Sequence, residues 1–125
     1  PVLGDGRPVV VVVHHVANVY PMKVELAQVI ASGKPITEVT KEAVDQMNAA
    51  HASENVYADK QQTLELLRVN SENAAQAIRE FTDEQLDTAA TVSLYHHAPL
   101  TAQFFIEDHA LRHSFHHLGK IKKSL

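Results

Sequence analysis

Pro8–Gly33 reads PVVVVVHHVANVYPMKVELAQVIASG, and the fold turns on whether its opening valines are strand or helix. The run Val9 to Val13 is β-branched throughout, which favours a strand. Downstream, His15, Val19, Met22, Leu26, Val29 and Ile30 recur at steps of three and four, the spacing of one helical face. Gly33 stands where a helix end wants a residue tolerant of left-handed geometry, and Pro8 suits a first helical position. Pro21 opposes the helix, because it lacks an amide donor and crowds the carbonyl four residues back. The stretch reads as one helix from about Pro8 to Ser32, kinked near Ala17–Pro21. A strand followed by a shorter helix is the alternative.

The rest of the chain is more plainly helical. Thr40 is placed to cap a segment through Lys41–His51, and Asp59 and Gln62 have the spacing of a capping box. Behind them Leu64, Leu67, Ser71, Ala74, Ile78 and Phe81 form a seam of alternating threes and fours. Thr82 and Gln85 repeat the capping spacing ahead of a short helix, Asp83–Ala89. A loop carrying His96, His97 and Pro99 follows, and Thr101 caps a last helix to about Lys122. Lys120, Lys122 and Lys123 suit the negative end of its dipole. The class is all-α, an antiparallel bundle in one domain over residues 1–125.

Composition narrows the function. With 125 residues, the chain can bury one core. It contains no Cys, which excludes disulfides, thiolate metal sites and a cysteine nucleophile, and fits a reducing, cytoplasmic setting. A net charge of -4 gives no electrostatic case for nucleic acid or a membrane surface. The longest apolar run is too short to span a bilayer. Residue 1 is Pro, and no charged-then-apolar leader is expected ahead of the domain.

The 9 histidines are the anomaly. In the last helix, His109 with His113 and His113 with His117 are each four apart, so either pair stacks on one face and can bind one metal ion. The face of Ile106, Ala110, His113, His117 and Ile121 is mostly apolar and should look inward. Unpartnered imidazoles buried there would cost about 1–3 kcal/mol each, a cost that a metal removes. A third ligand must come from elsewhere. His15, on the face of Val11, Val12, Val19 and Met22, points at the core; His14 is turned about 100° away; His51 ends the second segment. Glu107 and Asp108 are read as surface charges or partners of a ligand's free N–H, and Tyr20, Tyr57 and Tyr95 as packing residues. A di-iron bundle is disfavoured, since Glu107 is followed three residues later by Ala110 rather than His.

Three stretches resemble the DinB/YfiT-like superfamily, metal-dependent four-helix bundles that include thiol S-transferases and maleylpyruvate isomerases. Val13-His14-His15-Val16-Ala17-Asn18 looks like the family's first-ligand helix. Met47-Asn48-Ala49-Ala50-His51-Ala52 is similar to one subgroup. His113-x-x-His116-His117-Leu118-Gly119-Lys120-Ile121 looks like the closing motif of the last helix. The likeness runs from about Pro8 to Lys122, but the family's helix ahead of the first-ligand helix is not supplied. The resemblance implies a four-helix-bundle type lacking that first helix, with an open apolar groove that favours a homodimer.

It also implies His15, His113 and His117 as metal ligands, with His51 as a substrate or thiol contact and His116 as a non-ligand. The ion would be zinc or nickel, with iron and manganese as further candidates. The implied activity is a metal-dependent transferase using a low-molecular-weight thiol on a small-molecule substrate, or a hydrolase. The alternative is a non-catalytic bundle whose histidines are structural or bind metal for stability alone. Because imidazole must be neutral to ligate, bound metal is expected to leave below about pH 6.5.

Overall fold

The computed structural model describes residues 6–125. The chain folds as α1 (Val9–Ala31), α2 (Lys41–Glu54), α3 (Lys60–Arg79), α4 (Asp83–Asp87), β1 (Ala89–Val92), β2 (Ala98–Thr101), α5 (Ala102–Phe105), a π-helical stretch (Ile106–Arg112) and α6 (His113–Ser124).

The valine run is helix. Val11, Val12, His15, Val16 and Val19 are all buried, and they cover one broad face that the core requires. Tertiary burial therefore overrides β propensity. Pro8 sits one position earlier than expected, as the extended N-cap (φ -60°, ψ 146°) rather than the first helical residue. At the other end, Gly33 takes φ 80°. Its N–H donates to Ile30 O at 2.8 Å, and Lys34 N–H donates to Val29 O at 3.2 Å. These paired bonds make a Schellman stop.

Pro21 lies inside α1. It cannot donate to Ala17, whose residue is fully buried. Asn70 of α3 supplies the missing donor, its Nδ2 reaching Ala17 O at 2.9 Å. A defect in one helix thereby fixes the register of its neighbour.

The remaining helices start where the caps indicate. Thr40, Asp59 and Thr101 accept from the N–H groups of Ala43, Gln62 and Phe104. Thr82 and Gln85 form the full reciprocal box. In α3 the expected seam is partly displaced: Ala74 is buried, but Leu64 is 49% exposed, and Thr63 beside it is fully covered. α2 runs on to Glu54, beyond the expected His51, and buries no residue fully.

Two expectations need correction. The stretch after α4 is a β-hairpin rather than a loop, and Ala89 opens β1 rather than closing α4. β1 and β2 pair antiparallel, Ala89 opposite Thr101 through Val92 opposite Ala98. Ile36 adds a parallel bridge to Val92, bonded through Thr91 O and Ser93 N–H. Ala90 and Val92 alternate inward, a pattern too short to stand out in the sequence. The last helix is also not uniform, since its Ile106–Arg112 turn has π register. The class remains mostly helical, with a small two-stranded sheet. The hairpin, the C-terminal half of α1, Ile36 and the start of the last helix share one apolar core around Ile30, Val92 and Phe105.

Candidate metal centre

α1 and α6 meet at their histidines. His15 and His117 are buried and His113 is half-buried. His113 Nε2 lies 3.4 Å from His15 Nε2 and 3.1 Å from His117 Nε2. One ring nitrogen from each of the three lies within 4.8 Å of the others. Two nitrogens bound at 2.0–2.1 Å to a tetrahedral ion stand about 3.3 Å apart, so both measured separations suit one shared ion.

The protonation chemistry agrees. Burial, with like charge from neighbouring His117, lowers the His15 pKa to about 4. His113 is lowered to about 2, chiefly by burial and then by Lys23. His117 is lowered to about 4 by burial and Arg7. All three rings are neutral at pH 7. His113 Nε2 faces two other ring nitrogens and holds at most one proton, so it cannot donate to both. A divalent cation accepts lone pairs from all three. His117 Nδ1 is buried without a hydrogen-bond partner among the described residues. These pKa values also move the competition between proton and metal well below pH 6.5.

The other histidines divide by position. His14 is half-buried, and its Nδ1 lies 2.7 Å from His51 Nε2. The His51 ring in turn stands 5.6 Å from His15, centre to centre. His51 thus flanks the three-ring cluster without joining it, and burial lowers its pKa. His109, the other helical candidate, lies outside: its ring stacks on Phe105 at 4.8 Å and meets Tyr95 edge-on at 5.4 Å. His116 is exposed.

A pocket of about 100 Å³ opens beside the cluster. His15, His113 and His109 line it together with Val19, Met22, Leu26, Ile36, Val92 and Phe105, and α2 walls it with Val44, Met47 and Asn48. Lys23 is the residue that sequence reasoning missed. It is 7% exposed, lines this pocket, and donates from Nζ to His109 O at 2.5 Å, in the π-helical stretch. The signal was present, because His15, Val19 and Lys23 follow one another at four-residue steps along the buried face.

The carboxylates are committed elsewhere. Asp108 accepts from the Tyr95 hydroxyl and, at 2.6 Å, from Arg112 Nε. Burial raises its pKa, but those two donors outweigh burial and leave it lowered. Tyr95 is raised by burial and by this bond. Asp108 therefore does not serve a ligand's N–H, and Glu107 is exposed beside Gln103. Tyr20 bonds Ser114 Oγ at 2.7 Å, tying α1 to α6. Tyr57, expected to pack, is instead 98% exposed on the turn after α2. No helix among the described residues is long and apolar enough to cross a membrane.

No family model matches this chain, and neither a curated protein nor a solved structure matches it.

Proposed function

We propose that the protein holds one divalent ion, zinc or nickel, on His15, His113 and His117, and acts on a small molecule bound in the adjoining pocket. The single observation that carries this reading is the convergence of three neutral ring nitrogens from α1 and α6, with separations of 3.4 and 3.1 Å. Three nitrogen ligands leave coordination open, as catalytic sites require.

Bound there, such an ion acidifies a water or thiol, which supports hydrolysis or thiol transfer. The chain contributes the rest. Neutral His15, His113 and His117 supply the lone pairs. The apolar walls from Val19, Leu26 and Phe105 exclude water from the substrate. To His51, paired with His14 and with its ring 5.6 Å from that of His15, this reading gives the role of accepting a proton from a group held beside His15. The chain has no Cys, so a reacting thiol is a separate low-molecular-weight molecule.

This arrangement fits a DinB/YfiT-like four-helix-bundle enzyme of the cytoplasm, with a second copy of the chain covering Leu111, Phe115 and Leu118 on the exposed face of the last helix. Metal analysis of untagged protein tests the reading. The expected content is near one equivalent, with a raised melting temperature on adding Zn²⁺ or Ni²⁺. His113→Ala should weaken metal binding at least about a hundredfold, while His51→Ala retains the metal and lowers turnover. Less than about a tenth of an equivalent, with no thermal response to either ion, would sink the reading.

A further inference from the structure

Lys23 is a buried cation, 7% exposed. It forms no ion pair among the described residues; its hydrogen-bond partner is a backbone carbonyl, His109 O. The acid that acts on it electrostatically is Asp108, and both carboxylate oxygens of Asp108 are already engaged, by Tyr95 and Arg112. Around Lys23 the pocket is otherwise apolar apart from the histidines and Asn48. Burial holds its pKa down at about 7, so near neutral pH the charged form carries a desolvation cost that an entering anion would offset. Charged side chains are rarely covered to this degree unless paired. An ammonium that lines a cavity, rather than packing into solid core, can be paired by whatever enters the cavity.

We propose that Lys23 is the anion anchor of this pocket, and that the ligand is a small carboxylate with an apolar body, its hydrocarbon against Val19, Leu26 and Phe105 and its carboxylate on Lys23. The size agrees. A volume of about 10–15 Å³ in this measure admits one water, so the pocket admits several groups of that size and no large ligand. The same cavity is lined by His15 and His113, which brings the far end of such a ligand to the three-histidine cluster. The inference depends on the metal reading only in making the ligand a substrate; the pairing itself requires no metal.

Butyrate, 1-butanol and butylamine, titrated into the full chain by calorimetry with and without Zn²⁺, test it. The metal-free protein should bind butyrate at least about tenfold more tightly than 1-butanol, and butylamine most weakly. Lys23→Met, which keeps the length and removes the charge, should bring butyrate down to the level of 1-butanol in the metal-free protein. In the metal-free protein, a butyrate affinity no better than that of 1-butanol, no binding of either, or a preference that survives Lys23→Met would each overturn the proposal. Should that variant fail to fold, reductive methylation of Lys23 in the native chain decides. Butyrate must slow it at concentrations where 1-butanol does not, and equal protection overturns the proposal. If zinc fails to bind while the butyrate preference stands, the metal reading falls and this one does not.

Discussion

α1 and α2 both bring histidines to the same neighbourhood, yet they are built on opposite terms. α1 buries ten of its residues, from Val11 to Ala31, while α2 buries none fully. His15 on α1 is buried, and His51 on α2 is half-buried at the cluster's edge. On the proposed function this suits the two roles, since a ligand's ring must be fixed by packing and a group proposed to meet substrate gains from partial exposure. The pocket lies between the two regimes, with α1 as its floor and Val44 and Met47 of α2 as a wall.

Substitutions in the two helices should therefore diverge. Ile30→Ala removes a fully buried side chain beside Phe105 and Val92 and should cost about 2–5 kcal/mol in urea unfolding. Met47→Ala, at a position 44% exposed, should cost under about 1 kcal/mol. Equal costs would show that α2 is part of the core after all.

Asn70→Ala tests how α1 tolerates its proline. It strands the Ala17 carbonyl in the interior and should cost about 1–3 kcal/mol, whereas Lys41→Ala, which breaks the exposed Lys41–Asp45 pair on α2, should leave stability nearly unchanged. If Asn70→Ala is as mild as Lys41→Ala, the carbonyl has found another donor.

The pH response separates the buried rings from the exposed surface more gently. In the unfolded chain a histidine takes up its proton near pH 6.5. In the fold, His15 and His117 resist protonation to about 4 and His113 to about 2. The unfolded state therefore binds more protons in between, and the metal-free protein should lose stability as pH falls from about 6.5 toward 4, continuing below that for His113. His113→Phe should flatten the slope of melting temperature against pH in that window.

Much of this was legible in the sequence. Thr40, Asp59, Thr82 and Thr101 announce helix starts because a short hydroxyl or carboxylate side chain satisfies N–H groups that any helix start leaves free. Three- and four-residue spacing placed His15 inward on α1 and His113 and His117 inward on the last helix. The hairpin over Ala89–Thr101 was not legible, because two four-residue strands carry too little alternation to compete with a loop reading.

Local chemistry and period thus determine where helices begin and which faces they bury, since both act between residues near in the chain. Partnership was decided only by the tertiary structure. His109 and His117 are equally spaced about His113, and packing sends one ring onto Phe105 and the other to His15. Asn70 answering Pro21, and Lys23 donating to His109 O, are likewise facts of assembly, because the groups concerned lie far apart along the chain and meet only when helices close on a common core.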